Sequence, residues 1–357
     1  MADAAIDLAE PPAPIRSRFI PRAAHAPLDL RPLSIGNLHI GFPVVQAALS
    51  GYSDGPMRIV ARRLGASYTV AEVLIERFLL DLKDRDKTRH VLALTEEEHP
   101  VGGQLMGSEP ADFAPAAQKL VAAGFDVIDI NFGCPVKTAT RGCRGGYHLS
   151  QPEIALEIVA RVRDAVPSGI PVTLKMRRGI DDSDASRDHF FEILDGAFAR
   201  GVAAVTVHGR TVEQKYVGPS NWDFLREVKQ HAGRRTILGS GDLFTAEACL
   251  DMLHYTGVDG VSVARGAIGN PWIFQQAQAL ADGLPMPEPD VAEQRRVLEM
   301  QCDLCLTVGD ARRAATTMRT FGIKFARLHP QHVDVRNAFA VARDLEAWRS
   351  VLDRWYS

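Results

Sequence analysis

The chain predicts an α/β fold, a (β/α)8 TIM barrel with a small helical domain at its C-terminal end, and three observations predict it. Short β-branched apolar runs recur eight times between residues 44 and 264, each is followed by an amphipathic helical pattern, and the strands stop near residue 285. Strict strand-helix alternation with nearly continuous apolar strands marks a parallel sheet covered by helices. Eight such units over roughly 250 residues suit a closed barrel. The competitor is an open doubly wound sheet, but no GxGxxG turn or acidic ribose ligand follows the first strand.

Taken in order, residues 1–33 are rich in Ala and Pro, too poor in periodic apolar positions for a packed element, and read as a flexible arm. The barrel is assigned to 34–280. Its strands are VVQAA (44–48), SYTVAEV (67–73), VGGQL (101–105), DVIDIN (126–131), PVTLKM (171–176), AAVTVH (203–208), TILGS (236–240) and GVSVA (260–264). Between them lie helical patterns such as PADFAPAAQKLVAAGF (110–125), PEIALEIVARVRDAV (152–166) and TAEACLDMLHYTG (245–257). Three prolines and a glycine make ADGLPMPEPD (281–290) a linker. Residues 291–357 then give three helices: VAEQRRVLEMQCDLCLTVG, ARRAATTMRTFGIKFARL and ARDLEAWRSVLDRWY.

Composition bounds the function classes. With 357 residues, 46% hydrophobic and 24% charged, the chain buries a full core. No stretch approaches the roughly 20 apolar residues of a membrane span, and the first residues have no signal-peptide pattern, so the expectation is a cytoplasmic monomer with no membrane partner. Five cysteines, an odd number in a long chain, read as reduced thiols. Cys302 and Cys305 have CxxC spacing, but they fall mid-helix without a second pair and read as core residues, so no metal site is expected. A net charge of −3 gives no global pull toward nucleic acid, which leaves any such role to a local basic patch.

Chemistry in such a barrel sits at the C-terminal strand ends. Here those ends carry Glu72, Gln104, Asn131 with Cys134, Lys175 with Arg177, His208 with Arg210, Gly239 to Asp242, and Arg265. A purely structural barrel needs none of them. The last two loops, GSGD (Gly239, Ser240, Gly241, Asp242) and ARGAIGNPW (from Ala264 and Arg265), put glycine turns where barrels of this type hold a phosphate. Paired with a lysine at the end of the fifth strand, they point to a flavin phosphate. Lys175 is placed to reach the N1/O2 edge of the ring and favour its anionic reduced form, with His208 supporting the same edge.

At this point the motifs carry a resemblance. AALSGYSDGPMR (47–58), GQLMGS (103–108), NFGCPVK (131–137), LKMRRG (174–179), HGRTVEQKYVGPSNW (208–222), GSGD and ARGAIGNPWIF (264–274) are similar to those of the tRNA-dihydrouridine synthases. The resemblance runs from about residue 34 to 280 and is weaker at MRTFGIKFARLHP (318–330). It implies an FMN enzyme, reduced by NADPH, that converts uridine in tRNA or another structured RNA to 5,6-dihydrouridine: hydride passes from flavin N5 to C6, and Cys134 gives the proton to C5. It further implies that Gln104 contacts the flavin pyrimidine, that Ala48 and Leu49 contact it through the backbone, and that Asn131 orients the base. Arg177, Arg178, Arg210 and Lys215, on loops at the mouth, are candidate RNA-phosphate contacts.

Departures from the family pattern are local. Ala47-Ala48-Leu49 stands where APM is common, and Gly239-Ser240-Gly241-Asp242 where GNGD is common. After Cys134 the chain has Arg141-Gly142-Cys143-Arg144-Gly145-Gly146-Tyr147-His148 in place of small apolar residues, which makes Cys143 a second candidate acid. Arg312, Arg313, Arg319, Lys324, Arg327 and Arg336 read as an RNA-binding face opposite the barrel mouth, against the alternative of a solvated, salt-laced surface. Two other functions compete: a small-molecule pyrimidine or ene reductase of the dihydroorotate dehydrogenase type, and a catalytically silent RNA-binding homologue.

Overall fold

The computed structural model describes residues 27–83 and 90–357. Residues 1–26 of the expected arm lie outside the described residues. The rest of that segment is anchored: the Leu28 N–H donates to the Ala281 carbonyl at 2.7 Å, and Leu33 is fully buried. Leu33 opens a hairpin that the sequence reading did not assign, formed by β1 (Leu33–Ile35) and β2 (Leu38–Gly41), with Gly36 at φ +60 in its turn. Three-residue strands offer too little periodicity to be read as such.

The eight predicted strands are the eight staves of a closed parallel barrel. They are β3 (Val44–Gln46), β4 (Thr69–Ile75), β5 (Val101–Met106), β6 (Val127–Phe132), β7 (Val172–Arg177), β8 (Ala204–His208), β9 (Thr236–Ser240) and β10 (Gly260–Val263), with β10 pairing β3. Helices lie between the strands, started where side chains satisfy free N–H groups. Asp54 accepts from Met57 N at 3.1 Å and Asn221 from Phe224 N at 2.9 Å.

Strand alternation sorts the interior. One set of side chains, Ile128, Ile130, Phe132, Leu174, Met176, Val205 and Val207 among them, joins the helix-facing core. The other set points inward and changes character along the barrel axis. At the N-terminal end Val45, Tyr68, Val127, Ala204 and Leu238 pack against Leu33, Ile35 and Ile40, so the hairpin plugs the floor. Above them come Gln104, Asp129, Thr173, Lys175, Arg177 and His208, and the polar end faces the loops that carry the chemistry.

Residues 291–357 form four helices, Val291–Val308, Ala311–Phe325, His332–Val341 and Leu345–Trp355, where the sequence predicted three. The unpredicted His332–Val341 contains three valines and an asparagine, weak helix formers. Packing sustains it: Val335 and Phe339 are fully buried, and Gly322 lies so close to the Phe339 ring that a Cβ would overlap it. The helices are joined to the barrel by the edge-on pairs Tyr52–Phe321 (5.5 Å) and Trp272–Phe325 (5.8 Å). Arg327 adds a bond to the Gly266 carbonyl at 2.7 Å. That bond places the basic end of the helical domain beside the mouth rather than opposite it. Cys302 and Cys305 are buried free thiols, the latter 3.9 Å from Met318 Sδ. Among the described residues no helix is long and apolar enough to cross a membrane, and no three His, Cys, Asp or Glu side chains cluster as a metal site.

Candidate active site

A cleft with about 1090 Å³ of empty space, open to solvent, sits at the C-terminal mouth of the barrel. Its walls bring together Ala48, Leu49, Gln104, Asn131, Cys134, Lys175, Arg177, His208, Ser240, Gly241, Asp242, Ala264 and Arg265, all predicted from the strand ends or the resemblance. Gly239 lies just below, against Met252, and Arg210 is buried outside the lining.

Cys134 is half-buried on the loop leaving β6. Its N–H and that of Gly133 both donate to Asn131 Oδ1, at 3.0 and 2.9 Å. Asn131 Nδ2 donates to Gln104 Oε1 (2.8 Å), Gln104 Nε2 to Asp129 Oδ2 (2.6 Å) and Thr173 Oγ1 to Asp129 Oδ1 (2.6 Å). Burial raises the thiol above its ordinary pKa; the Val136 backbone bond, Arg177 and Lys175 oppose the rise. A protonated thiol at neutral pH is what an acid requires.

The loop that departs from the family pattern packs against the backbone and Cβ of Cys134. Gly145, at φ +58, packs so near that a Cβ would stand 2.8 Å from the Cys134 Cβ, and Gly146 N donates to the Cys134 carbonyl at 3.0 Å. His148 is buried, its Nε2 on the Gly107 carbonyl at 2.9 Å. Cys143 is exposed at φ +54 and does not line the cleft, which removes it as the alternative acid.

Three cations converge opposite Cys134. Burial and Arg177 lower Lys175 to about 8, with Asp129 and Cys134 opposing. Arg177, lowered by burial to about 10 and so cationic at neutral pH, spends Nε on the Gly133 carbonyl (2.9 Å) and Nη1 on the carbonyls of Thr211 (2.8 Å) and Lys215 (2.7 Å). It thereby ties the Cys134 loop to the rim. Arg265 stacks on Tyr216 and Phe244, at 4.8 and 5.2 Å. His208 is held well below its usual pKa by burial and these cations, so it is neutral. Arg210 Nη1 lies 3.3 Å from His208 Nε2. Arginine only donates, so Nε2 bears the lone pair and Nδ1 the proton.

The last two loops form a concave wall. Gly241 sits at φ +111 and Asp242 at φ +61, and a Cβ at Gly266 would run into the Leu243 carbonyl. The N–H groups of Gly241, Asp242, Leu243 and Gly266 meet no acceptor among the described residues. Free N–H groups on residues lining the same cleft as Lys175 and Arg265 suit a phosphate dianion, so these residues fit a flavin mononucleotide. The Asp242 carboxylate turns away, to Arg210 Nη2 (2.6 Å) and Ser220 N (2.7 Å). The Leu49 N–H is spent on Ser53 Oγ at 2.8 Å. At Asp242 and Leu49 the resemblance therefore keeps the position but not those groups.

Asp129, Thr173 and Tyr216 were not singled out from sequence. The signal for the first two was present as strand alternation: in VIDINF and VTLKMR the polar residues occupy every second, inward position.

Comparison with known proteins agrees with this geometry. The family model described as "Dihydrouridine synthase (Dus)" matches residues 45–347. A "Probable tRNA-dihydrouridine synthase" of Rickettsia prowazekii is 34% identical over 272 residues, covering 76% of this chain and 81% of that protein. A "tRNA-dihydrouridine synthase B" of Shewanella oneidensis is 32% identical over 299 residues, 83% of this chain and 88% of that protein. Among solved structures, a morphinone reductase in complex with tetrahydroNAD superposes with TM-score 0.53 at 14% identity, over 74% of this chain and 93% of that one, a likeness of fold alone.

Proposed function

The chain belongs to the dihydrouridine synthase family, and from that membership we propose that it reduces the C5=C6 bond of a uridine in tRNA to 5,6-dihydrouridine, with FMN as cofactor and NADPH as reductant. The observation that carries the reading is a protonated cysteine thiol in the same cleft as a phosphate-shaped wall of free N–H groups and a buried lysine.

In this reading Gly241, Leu243 and Gly266, with the backbone of Asp242 and the side chain of Arg265, hold the FMN phosphate. Lys175 and the neutral His208 lie at the pyrimidine edge of the ring, with Gln104 and the backbone of Ala48. When bound, the flavin supplies the hydride that adds to C6 of the uracil. Negative charge then gathers on C5 and the C4 carbonyl, and the Cys134 thiol gives its proton to C5. Asn131 holds the thiol's backbone and keeps one Nδ2 hydrogen for the base. The uracil must leave its stack to enter the cleft, and the half-buried cleft shields the transfer from bulk water.

The reading assigns residues 291–357 to RNA binding. Lys324 stands close enough to Arg265 and Arg336 for each to lower its pKa, which supports a positive surface running from the cleft onto the helices. A tRNA substrate suits a cytoplasmic enzyme.

The test is Cys134→Ala. Retained FMN, normal flavin reduction by NADPH and a loss of dihydrouridine formation of about 10²–10⁴-fold are expected. Undiminished turnover would refute the assignment of the acid.

A further inference from the structure

We propose that Asp129 is a positioning residue for this reaction: from inside the barrel it fixes, through Gln104 and Asn131, the backbone that presents the Cys134 thiol. Gly133 and Cys134 offer two N–H groups, which only donate, so the Asn131 atom facing them is its oxygen. Asn131 therefore turns Nδ2 to Gln104, and Gln104 must answer with oxygen. That leaves Gln104 Nε2 aimed into the barrel, where it needs an acceptor. Asp129, 5% exposed and bonded on its other oxygen by the Thr173 hydroxyl, is that acceptor.

The chain of bonds thus has one polarity from the barrel interior to the thiol, and Asp129 sets it by accepting on both oxygens; burial raises its pKa, and the Thr173 and Gln104 bonds and Lys175 oppose the rise. Partly satisfied buried networks are costly, so losing the acceptor at one end frees the amides at the other. The same carboxylate faces Lys175, whose other charged or titratable neighbours are Arg177, Cys134 and His208. Asp129 therefore supplies the negative charge that helps the buried ammonium stay protonated.

The inference rests on the proposed function only for what Cys134 does, and its test reads the thiol directly. In the full-length protein, alkylation of Cys134 by iodoacetamide is followed by peptide mass mapping against the exposed Cys143 as internal reference. Asp129→Leu, which removes the acceptor but keeps the branched heavy-atom skeleton, is expected to change the Cys134-to-Cys143 rate ratio by about tenfold. Gln104→Glu sets two carboxylates face to face and should do the same. Joining Gln104→Glu to Asp129→Asn moves the charge one residue along: the new amide donates to Glu, which still accepts from Asn131. That double variant is expected to return the ratio to within about twofold of the native value. A native ratio in Asp129→Leu overturns the assignment, and so does a double variant that fails to recover, folded or not. Absence of uridine reduction by the native FMN-loaded protein, with the ratios changing as expected, would instead count against the proposed function and leave the positioning role of Asp129 standing.

Discussion

Arg210 and Asp242 meet as a buried ion pair, Nη2 to Oδ1 at 2.6 Å, beneath the cleft rather than at its rim. Arg210 also gives two donors to the Gly218 carbonyl, at 2.8 and 2.6 Å, and a third to His208 Nε2. An arginine so committed has little left for an RNA phosphate. Its work is to close the loop between β8 and the following helix, and to hold the His208 ring in one tautomer.

Arg210→Ala should therefore act on stability and on His208, not on RNA electrostatics. Removing one partner of a buried pair strands the other charge and costs about 3–5 kcal/mol, read from urea unfolding. Loss of a neighbouring cation should also let His208 titrate higher than in the native protein. The slope of log Kd against log salt for tRNA should stay unchanged. A slope reduced by one phosphate's worth would return Arg210 to the RNA.

Lys175 makes the flavin site pH-dependent in a stated direction. Its pKa is depressed from the ordinary lysine value of about 10.4 to about 8, burial and Arg177 being the main causes. The protonated form favours the anionic reduced ring at whose pyrimidine edge it is proposed to lie, so affinity for reduced FMN should be full below pH 8 and weaken as pH rises through it. For folding the sign is opposite. Between about 8 and 10.4 the unfolded chain binds more protons, so this group makes the flavin-free protein relatively more stable as pH rises. Lys175→Met should flatten both dependences. Anaerobic absorbance titrations with reduced flavin and thermal melts of the flavin-free protein across pH 7–10 measure them, and a native-like slope in the variant would assign the effect elsewhere.

The barrel was legible because its signal is periodic and repeated: DVIDIN, PVTLKM and AAVTVH each give a strand, and the helices between them fix the parallel order. The cleft was legible because strand ends in this architecture share one face. Partnership was not. Arg177 and Arg210 look alike in sequence, each two residues past an inward side chain, yet each is committed to backbone carbonyls contributed by residues well along the chain. Asp242 was read as a cofactor ligand because its loop was read as one; its side chain answers to Arg210. Periodicity says which way a residue points, but a hydrogen-bond partner depends on loops that have no period.

Lys324 carries the last expectation. Arg327, three residues beyond it, is held by the Gly266 carbonyl and serves the junction between barrel and helices, whereas no acidic side chain pairs with Lys324 among the described residues. Burial and the neighbouring Arg327, Arg336 and Arg265 lower its pKa, the sign of cations gathered with no acid between them. Such a group gains most when a phosphate arrives. Lys324→Glu should weaken tRNA binding and lower the salt slope by about 0.7–0.9, one phosphate contact, with FMN content and melting temperature unchanged. Arg327→Met should instead lower the melting temperature by loosening the junction. If both variants bind tRNA with native affinity and slope, the basic face of the helical domain is a solvated surface, and the RNA is held by the rim alone, at Lys215.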